Sequence, residues 1–290
     1  MKIGVVLPQT EIGEDPEIVA RFATTAESLG YRHLVAYDHV LGANTANRPD
    51  WFGPYTSESL FHEPFVLFSF LAGLTSSIHF KTGVLILPQR QTALVAKQAA
   101  SLDLLCGGRL QLGIGTGWNV VEYEALDENF KNRGRRSEEQ IEVMRQLWAE
   151  PAITFKGEWH SIPDAGIKPL PPKRRIPIWI GGFAPIIAER VARIGDGWLP
   201  IDNAALPGEI ERMRKIATEH GRDPDEIGID CIITPSMTPE QARDKIKRLS
   251  DSGVSHVSVS NLNLGLANPA AHVDALKTYW DAVGDLSTAD

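Results

Sequence analysis

Two short stretches carry side chains that could do chemistry. "AYDHV" sets a carboxylate, Asp38, beside an imidazole, His39, at the end of an apolar run. An imidazole titrates near neutrality, so His39 is a candidate acid or base and Asp38 its orienting partner. On residue type alone, a solvated loop histidine next to a helix-capping aspartate fits as well. "GRLQLGIGTGWN" alternates Gly113, Gly115 and Gly117 after an apolar strand-like segment. Glycines so placed let a flat ligand lie against backbone. A dinucleotide turn needs G-x-G-x-x-G opening a helix after the first strand. Here the spacing is one residue short and the motif follows the fourth strand, which disfavours that phosphate cradle. A ligand-facing strand end and a tight turn without ligand both remain open.

Elements with a regular rhythm must position these groups. Short apolar runs such as "KIGVVLP", "RHLVAY", "HFKTGVLILP", "RLQLGIG", "IPIWIGG", "DGWLPI", "IGIDCIIT" and "VSHVSVSN" read as eight strands. Amphipathic segments between them read as helices. Residues 16–29 are the clearest, with Pro16 at the start, apolar Ile18, Val19, Phe22, Ala23, Ala26 and Leu29 on one face, and Gly30 as the stop. "RSEEQIEVMRQLWAE" predicts a helix capped by Ser137 with acids in its first turn; Met144, Leu147 and Trp148 fall on its core face. Residues 152–162 predict a small hairpin insertion. Continuous apolar strands alternating with helices predict a parallel sheet covered by helices, and eight units in one chain favour a single-domain (β/α)₈ TIM barrel over residues 1–290. An open parallel sheet is the alternative. In a barrel the strand C-terminal ends share one rim, so His39, Gly115, Gly181-Gly182-Phe183, Trp198, Gln9 and Asn261 should meet there.

Composition narrows the partners. The chain carries 37 acidic and 29 basic residues, a net charge of −8. With no long basic run, nucleic acid and anionic membrane are poor partners. No apolar stretch is long enough to span a bilayer. Cys106 and Cys231 lie far apart with no metal or redox spacing, as expected of buried thiols in a reducing cytoplasm. The histidines show no strand-end H-x-H pair, which argues against a metal-dependent hydrolase and predicts no metal.

"AESLGYRHLVAYDHV", "TGVLILPQRQTALVAKQAASLDLLCGGRLQLGIGTGW" and "IPIWIGG", in this order, resemble the bacterial luciferase-like monooxygenase superfamily, and most closely its branch of coenzyme F420-dependent oxidoreductases. The resemblance implies a cytoplasmic homodimer of TIM barrels holding F420, or alternatively FMN, at the barrel's C-terminal face. It implies catalytic roles for His39 and Asp38. It implies cofactor contacts from Thr82, Gly83, Val84 and Leu85, where the family has a bulge that often contains a non-proline cis peptide. Further contacts would come from Gly115, Thr116, Gly117 and Trp118, and from a phosphate-contacting turn at Gly181, Gly182 and Phe183. Arg90, Arg133, Arg135 and Arg136 could meet an anionic tail or form a solvated helix start. Many members of the branch carry a glutamate where this chain has Trp118. Glu122, four residues on, reads as a solvated helix residue.

The expected activity is hydride transfer to or from a small organic substrate. The competing expectations are an FMN-dependent monooxygenase using oxygen and a non-catalytic flavin or deazaflavin carrier. Trp51, Phe52 and Tyr55, in the loop over residues 42–62, and Trp198 are the candidate substrate-pocket residues.

Overall fold

The computed structural model describes residues 1–233 and 237–288, in which parallel strands close into a ring. They are β1 (Lys2–Val6), β2 (His33–Ala36), β3 (His79–Thr82) with its continuation β4 (Leu85–Ile86), and β5 (Leu110–Gly115). A hairpin, β6 (Ile153–Lys156) and β7 (Ser161–Ala165), stands apart from the ring. The ring resumes with β8 (Ile178–Gly181), β9 (Gly197–Leu199), β10 (Gly228–Ile233) and β11 (His256–Val259). Neighbours run β3-β2-β1-β11-β10-β9-β8-β5, and Phe80 opposite Leu110 joins β3 back to β5. The fold is a (β/α)₈ TIM barrel, as the alternation predicts. The last residue of the expected strand "IGIDCIIT", Thr234, lies outside the described residues.

The outer helices are α1 (Pro16–Leu29), α2 (Pro64–Ala72), α3 (Thr92–Leu105), α4 (Val120–Ala125), α5 (Arg133–Ala149), α6 (Pro185–Ile194), α7 (Leu206–Glu219), α8 (Pro239–Asp251) and α9 (Pro269–Val283). Local chemistry sets their limits. Asp15 caps α1 by accepting from Glu17 N, Pro16 supplies a pre-set φ, and Gly30 ends it at φ +105°. α5 departs from expectation. It begins at Arg133, its first turn holds no acid, and Ser137 lies inside it with Oγ donating to Gly134 O. The earlier start is anchored by Arg136, which donates to Glu128 and to Pro88 O, so a cap at Ser137 has no role to fill. Met144, Leu147 and Trp148 are buried as expected. The hairpin docks onto α5 and α3 through Glu139. That carboxylate accepts from Glu158 N, Trp159 N and His160 N and bonds His160 Nδ1 at 2.7 Å, while His160 Nε2 meets Thr92 Oγ1 at 2.6 Å.

Packing divides into two regions. Between strands and helices lies an apolar layer that includes Ile3, Val5, Phe22, Leu34, Phe68, Phe80, Leu112 and Ile178. Inside the ring the lower layer is polar. Lys81 Nζ, fully buried, bonds Asp230 Oδ2 at 2.6 Å and sits 3.8 Å from the centre of the Trp179 ring. Asp230 also meets His33 Nε2 at 3.0 Å and accepts from Ser258 Oγ. Burial, and then the Lys81 charge, push the His33 ring down to about 4 and depress His256 further. Burial would raise the Asp230 carboxyl, yet Lys81 and His33 hold it far below the usual carboxylate range. None of this charge is visible as a motif in the sequence. Cys106 and Cys231 are free and buried. Among the described residues, no helix is long and apolar enough to cross a membrane, and no cluster of ligating side chains suits a metal ion.

Candidate active site

Above that polar layer the barrel opens into a hollow of about 690 Å³ at the strand C-terminal ends, within the usual range for a small-molecule site. Part of its wall is glycine at three strand ends: Gly83, then Gly115 and Gly117, then Gly181 and Gly182. The third barrel strand is interrupted between β3 and β4 by a cis peptide at Gly83–Val84. This bulge turns Val84 into the hollow between two of those walls. A Cβ at Gly115 would lie 2.4 Å from Val84 Cγ2, and one at Gly181 would lie 2.6 Å from Val84 Cγ1. Both positions must therefore be glycine for the bulge to seat. Gly182, at φ +130°, turns the chain toward α6 while its N–H donates to Leu199 O at 3.2 Å.

Most of the expected residues converge on this hollow. Asp38, His39, Tyr55, Gly83, Val84, Gly115, Thr116, Gly117, Trp118, Gly181, Gly182 and Phe183 all line it. Thr82, Leu85 and Trp198 do not. Thr82 is fully buried behind the wall, its hydroxyl donating to Gly113 O at 2.6 Å. Leu85 is fully buried in the main apolar cluster. Trp198 is 2% exposed and donates from Nε1 to Gly182 O, bracing the turn from beneath. Side chains alternate in direction along a strand, so the neighbour of a lining residue points away. Trp51 and Phe52 are likewise not in the wall. They pack on Trp118, with ring centres 5.7 and 6.4 Å away, and Phe52 is 87% exposed. Of the loop aromatics, Tyr55 alone reaches the hollow.

Asp38 and His39 are held differently. Asp38 is 3% exposed, and both its oxygens are engaged: Oδ2 accepts from Ile86 N at 3.0 Å and Oδ1 from Arg90 at 2.8 Å. Arg90 in turn bonds Glu63. Asp38 thus ties the end of β2 to β4 and does not bond His39. Arg90 is taken up by these carboxylates, Arg136 by Glu128 and Pro88 O, and Arg133 lies over the Phe130 ring. Arg135 is a surface residue paired with Glu158 at 3.7 Å. None of the four lines the hollow.

His39 takes its partner from elsewhere in the chain. Its Nδ1 lies 3.3 Å from Oε1 of Glu122, a carboxylate only 1% exposed. Glu122 is therefore not the solvated helix residue its sequence context suggests. It sits on the short helix α4, which Asn119 caps by accepting from Val121 N, and this helix turns the side chain inward under the His39 loop. Desolvation would raise its carboxyl, but hydrogen bonds and charge from His39, with help from Leu41 N and Gln89, hold it below its usual range. The sequence signal available is local: Asn119 as a cap for α4 puts Glu122 in the first turn of that helix. Lys245 and Asp202, paired with each other, and Asp230 also line the hollow, and no sequence motif marks them.

A planar redox group fits this hollow. Gly83, Gly115 and Gly181 give it small-residue walls, its volume is about 690 Å³, and the N-terminus of α6 beside Phe183 and Ala184, with no side-chain cap, leaves N–H donors for an anionic group.

The family profile described as luciferase-like monooxygenase matches residues 1–285. An F420-dependent glucose-6-phosphate dehydrogenase of Amycolatopsis mediterranei is 31% identical over 246 residues, covering 80% of this chain and 72% of that one. An F420-dependent hydroxymycolic acid dehydrogenase of Mycobacterium tuberculosis is 29% identical over 306 residues, covering 97% and 80%. Among solved structures, an F420-dependent secondary alcohol dehydrogenase in complex with an F420–acetone adduct superposes with TM-score 0.79 at 19% identity, covering 97% and 98% of the two chains. A monooxygenase from Streptomyces bottropensis superposes with TM-score 0.75 at 19% identity, covering 99% of each.

Proposed function

The chain belongs to the luciferase-like monooxygenase family, and from that premise we propose that it is an oxidoreductase using the deazaflavin coenzyme F420 on a small organic substrate. The carrying observation is one hollow that combines glycine backbone walls with a single partly buried imidazole, His39, which is 12% exposed. When bound, the deazaflavin supplies the hydride chemistry. Gly83, Val84, Gly115, Thr116 and Gly181 would hold its ring system, and the backbone beside Phe183 and Ala184 its phosphate. The remaining work falls to the chain. Tyr55 and Trp118 exclude water from the side of the hollow next to His39. His39 exchanges a proton with the polar atom of a bound substrate. The F420-dependent relatives and the glycine walls support this reading.

The test is a parallel titration of the purified protein with F420 and with FMN, followed by fluorescence and absorbance. Saturable F420 binding is expected, with turnover on at least one alcohol or carbonyl compound from a broad panel. Saturable binding of FMN alone would replace the proposal with oxygen chemistry. F420 binding without turnover would favour a carrier.

We also propose a homodimer. Val66, Phe70 and Leu74 follow one another at four-residue spacing along and just past α2, and are 69%, 44% and 46% exposed. Leu94, Leu104 and Leu105 on the adjacent α3 add 53%, 47% and 73% exposure. Apolar side chains grouped in this way suit a self-complementary interface. The expected species in analytical ultracentrifugation has twice the 31.9 kDa chain mass, and Val66→Glu with Leu105→Glu should yield monomer. A wild-type monomer at micromolar concentration would refute the assignment.

A further inference from the structure

We infer that Glu122 is a positioning residue, which fixes the ring orientation and tautomer of His39 for the activity proposed above. The inference rests on that activity for its purpose and on local geometry for its content. Oε1 of Glu122 faces three donors of one loop: His39 Nδ1 at 3.3 Å, Val40 N at 3.0 Å and Leu41 N at 3.4 Å. Oε2 takes Gln89 Nε2 at 3.4 Å, from the turn after β4. One buried carboxylate therefore clamps the loop that carries His39 and ties it to the neighbouring strand end.

The chemistry of the pair follows from what each group can offer. An ionised carboxylate only accepts hydrogen bonds, so the nitrogen facing it must carry the hydrogen. The neutral ring is then the Nδ1–H form, and Nε2 is left as the nitrogen that receives or gives a proton. Among the described residues nothing else bonds Nδ1. The ring is also boxed in by Tyr55, Phe61 and Trp118, with centres 4.9, 4.8 and 6.0 Å away. Other ionisable groups that line the hollow with it include Tyr37, Tyr55 and Asp38, whose charge Arg90 neutralises. His39 stands between the main hollow and a side cavity of about 150 Å³ lined by Thr56, Ser57, Ser59 and Asn119. A fixed ring is what lets one nitrogen serve one side.

This arrangement also explains the Trp118 position. Where the resemblance leads one to expect an acid, the chain has an indole that lines the hollow. The acid comes four residues later, in the first turn of α4, and acts through His39.

The test is a long-range ¹H–¹⁵N spectrum of histidine-labelled, cofactor-free protein at pH 8, with His39→Asn used to assign the ring. The wild type should show Nδ1 protonated and Nε2 bare. Glu122→Gln, whose amide oxygen can still accept, should keep that pattern. Glu122→Leu should shift the ring toward Nε2–H, the form expected once the acceptor is lost. A wild-type ring protonated at Nε2, or an unchanged pattern in Glu122→Leu, overturns the inference. The wild-type spectrum decides alone should the leucine variant fail to fold. In turnover, Glu122→Leu should lower kcat at least about tenfold with KM within about twofold, as expected when only orientation is lost. A fully active His39→Asn would remove the proton-exchange role of His39, and a protein that fails to bind F420 would remove the proposed activity; both leave the tautomer result standing, so the failures are distinguishable.

Discussion

His39→Asn is expected to lower kcat by about 10²–10⁴-fold, the usual contribution of a positioned acid–base group, with F420 affinity little changed. Asparagine is chosen because its side-chain N–H₂ can still donate to Glu122, which keeps the buried carboxylate satisfied and the loop in place. The substitution thus removes proton exchange and little else. The measurement is kcat and KM on the first substrate that turns over with F420, alongside the binding titration. Loss in kcat with unchanged KM would place the effect in the reacting complex and not in ground-state binding. An asparagine variant within about threefold of wild type would show that protons reach the substrate by another route.

Lys81→Met is expected to destabilise the protein by about 3–5 kcal/mol, the range for stripping one partner from a buried ion pair. Lys81 and Asp230 are both fully buried beneath the hollow, and each is the other's only opposite full charge at 2.6 Å among the described residues. Without Lys81, the Asp230 carboxylate keeps its bonds to His33 and Ser258 and no full positive charge beside it among the described residues. The double variant Lys81→Met with Asp230→Leu should recover much of the loss, because an apolar pair removes the stranded charge. Urea unfolding of the four species completes the cycle. A single variant within about 1 kcal/mol of wild type would mean that the buried charge is compensated by means the geometry does not show.

The same cluster is expected to lower stability in acid. His33 is pushed down to about 4 and His256 is also depressed, chiefly by burial. Their folded values lie below the unfolded value of about 6.5. As pH falls below about 6.5, the unfolded chain takes up protons that the native ring refuses, so stability falls with pH in that window. Each histidine adds a slope of up to about 1.4 kcal/mol per pH unit, ending where the native ring itself titrates. Asp230, depressed by Lys81 and His33, adds a further loss once pH drops below the ordinary aspartate range. Denaturation midpoints should therefore be flat above neutrality and decline from pH 6.5 to pH 4. His33→Gln should flatten that decline.

Much of the barrel was legible in the chain because its signals are local. A helix such as Pro16–Leu29 is written in its cap, its apolar spacing and its glycine stop, all within one stretch. Strand ends are legible too, which is why Gly115 and Gly181 are assigned to one rim from the sequence, whereas Gly83 is placed beside them only by the family resemblance. Local patterns are silent about long-range anchoring and about which way a strand residue faces. Ser137 looked like a cap because a serine before acids often is one, but long-range anchoring of Arg136 starts α5 earlier. Thr82, Leu85 and Trp198 adjoin lining residues in sequence and face the other way in the strand.

The sequence by itself determined the number and order of the units, their parallel alternation of strand and helix, and small residues at strand ends; closure of the ring is fixed by the pairing of β3 with β5. Tertiary structure alone decided which charged groups meet. Glu122 reaches His39 across 83 positions, and Lys81 reaches Asp230 across 149. Periodicity encodes which face of an element is buried, and that is fixed by neighbours three or four residues away. The partner of a buried charge is fixed by ring closure, which brings distant strands to within a few ångströms and leaves no trace in local spacing.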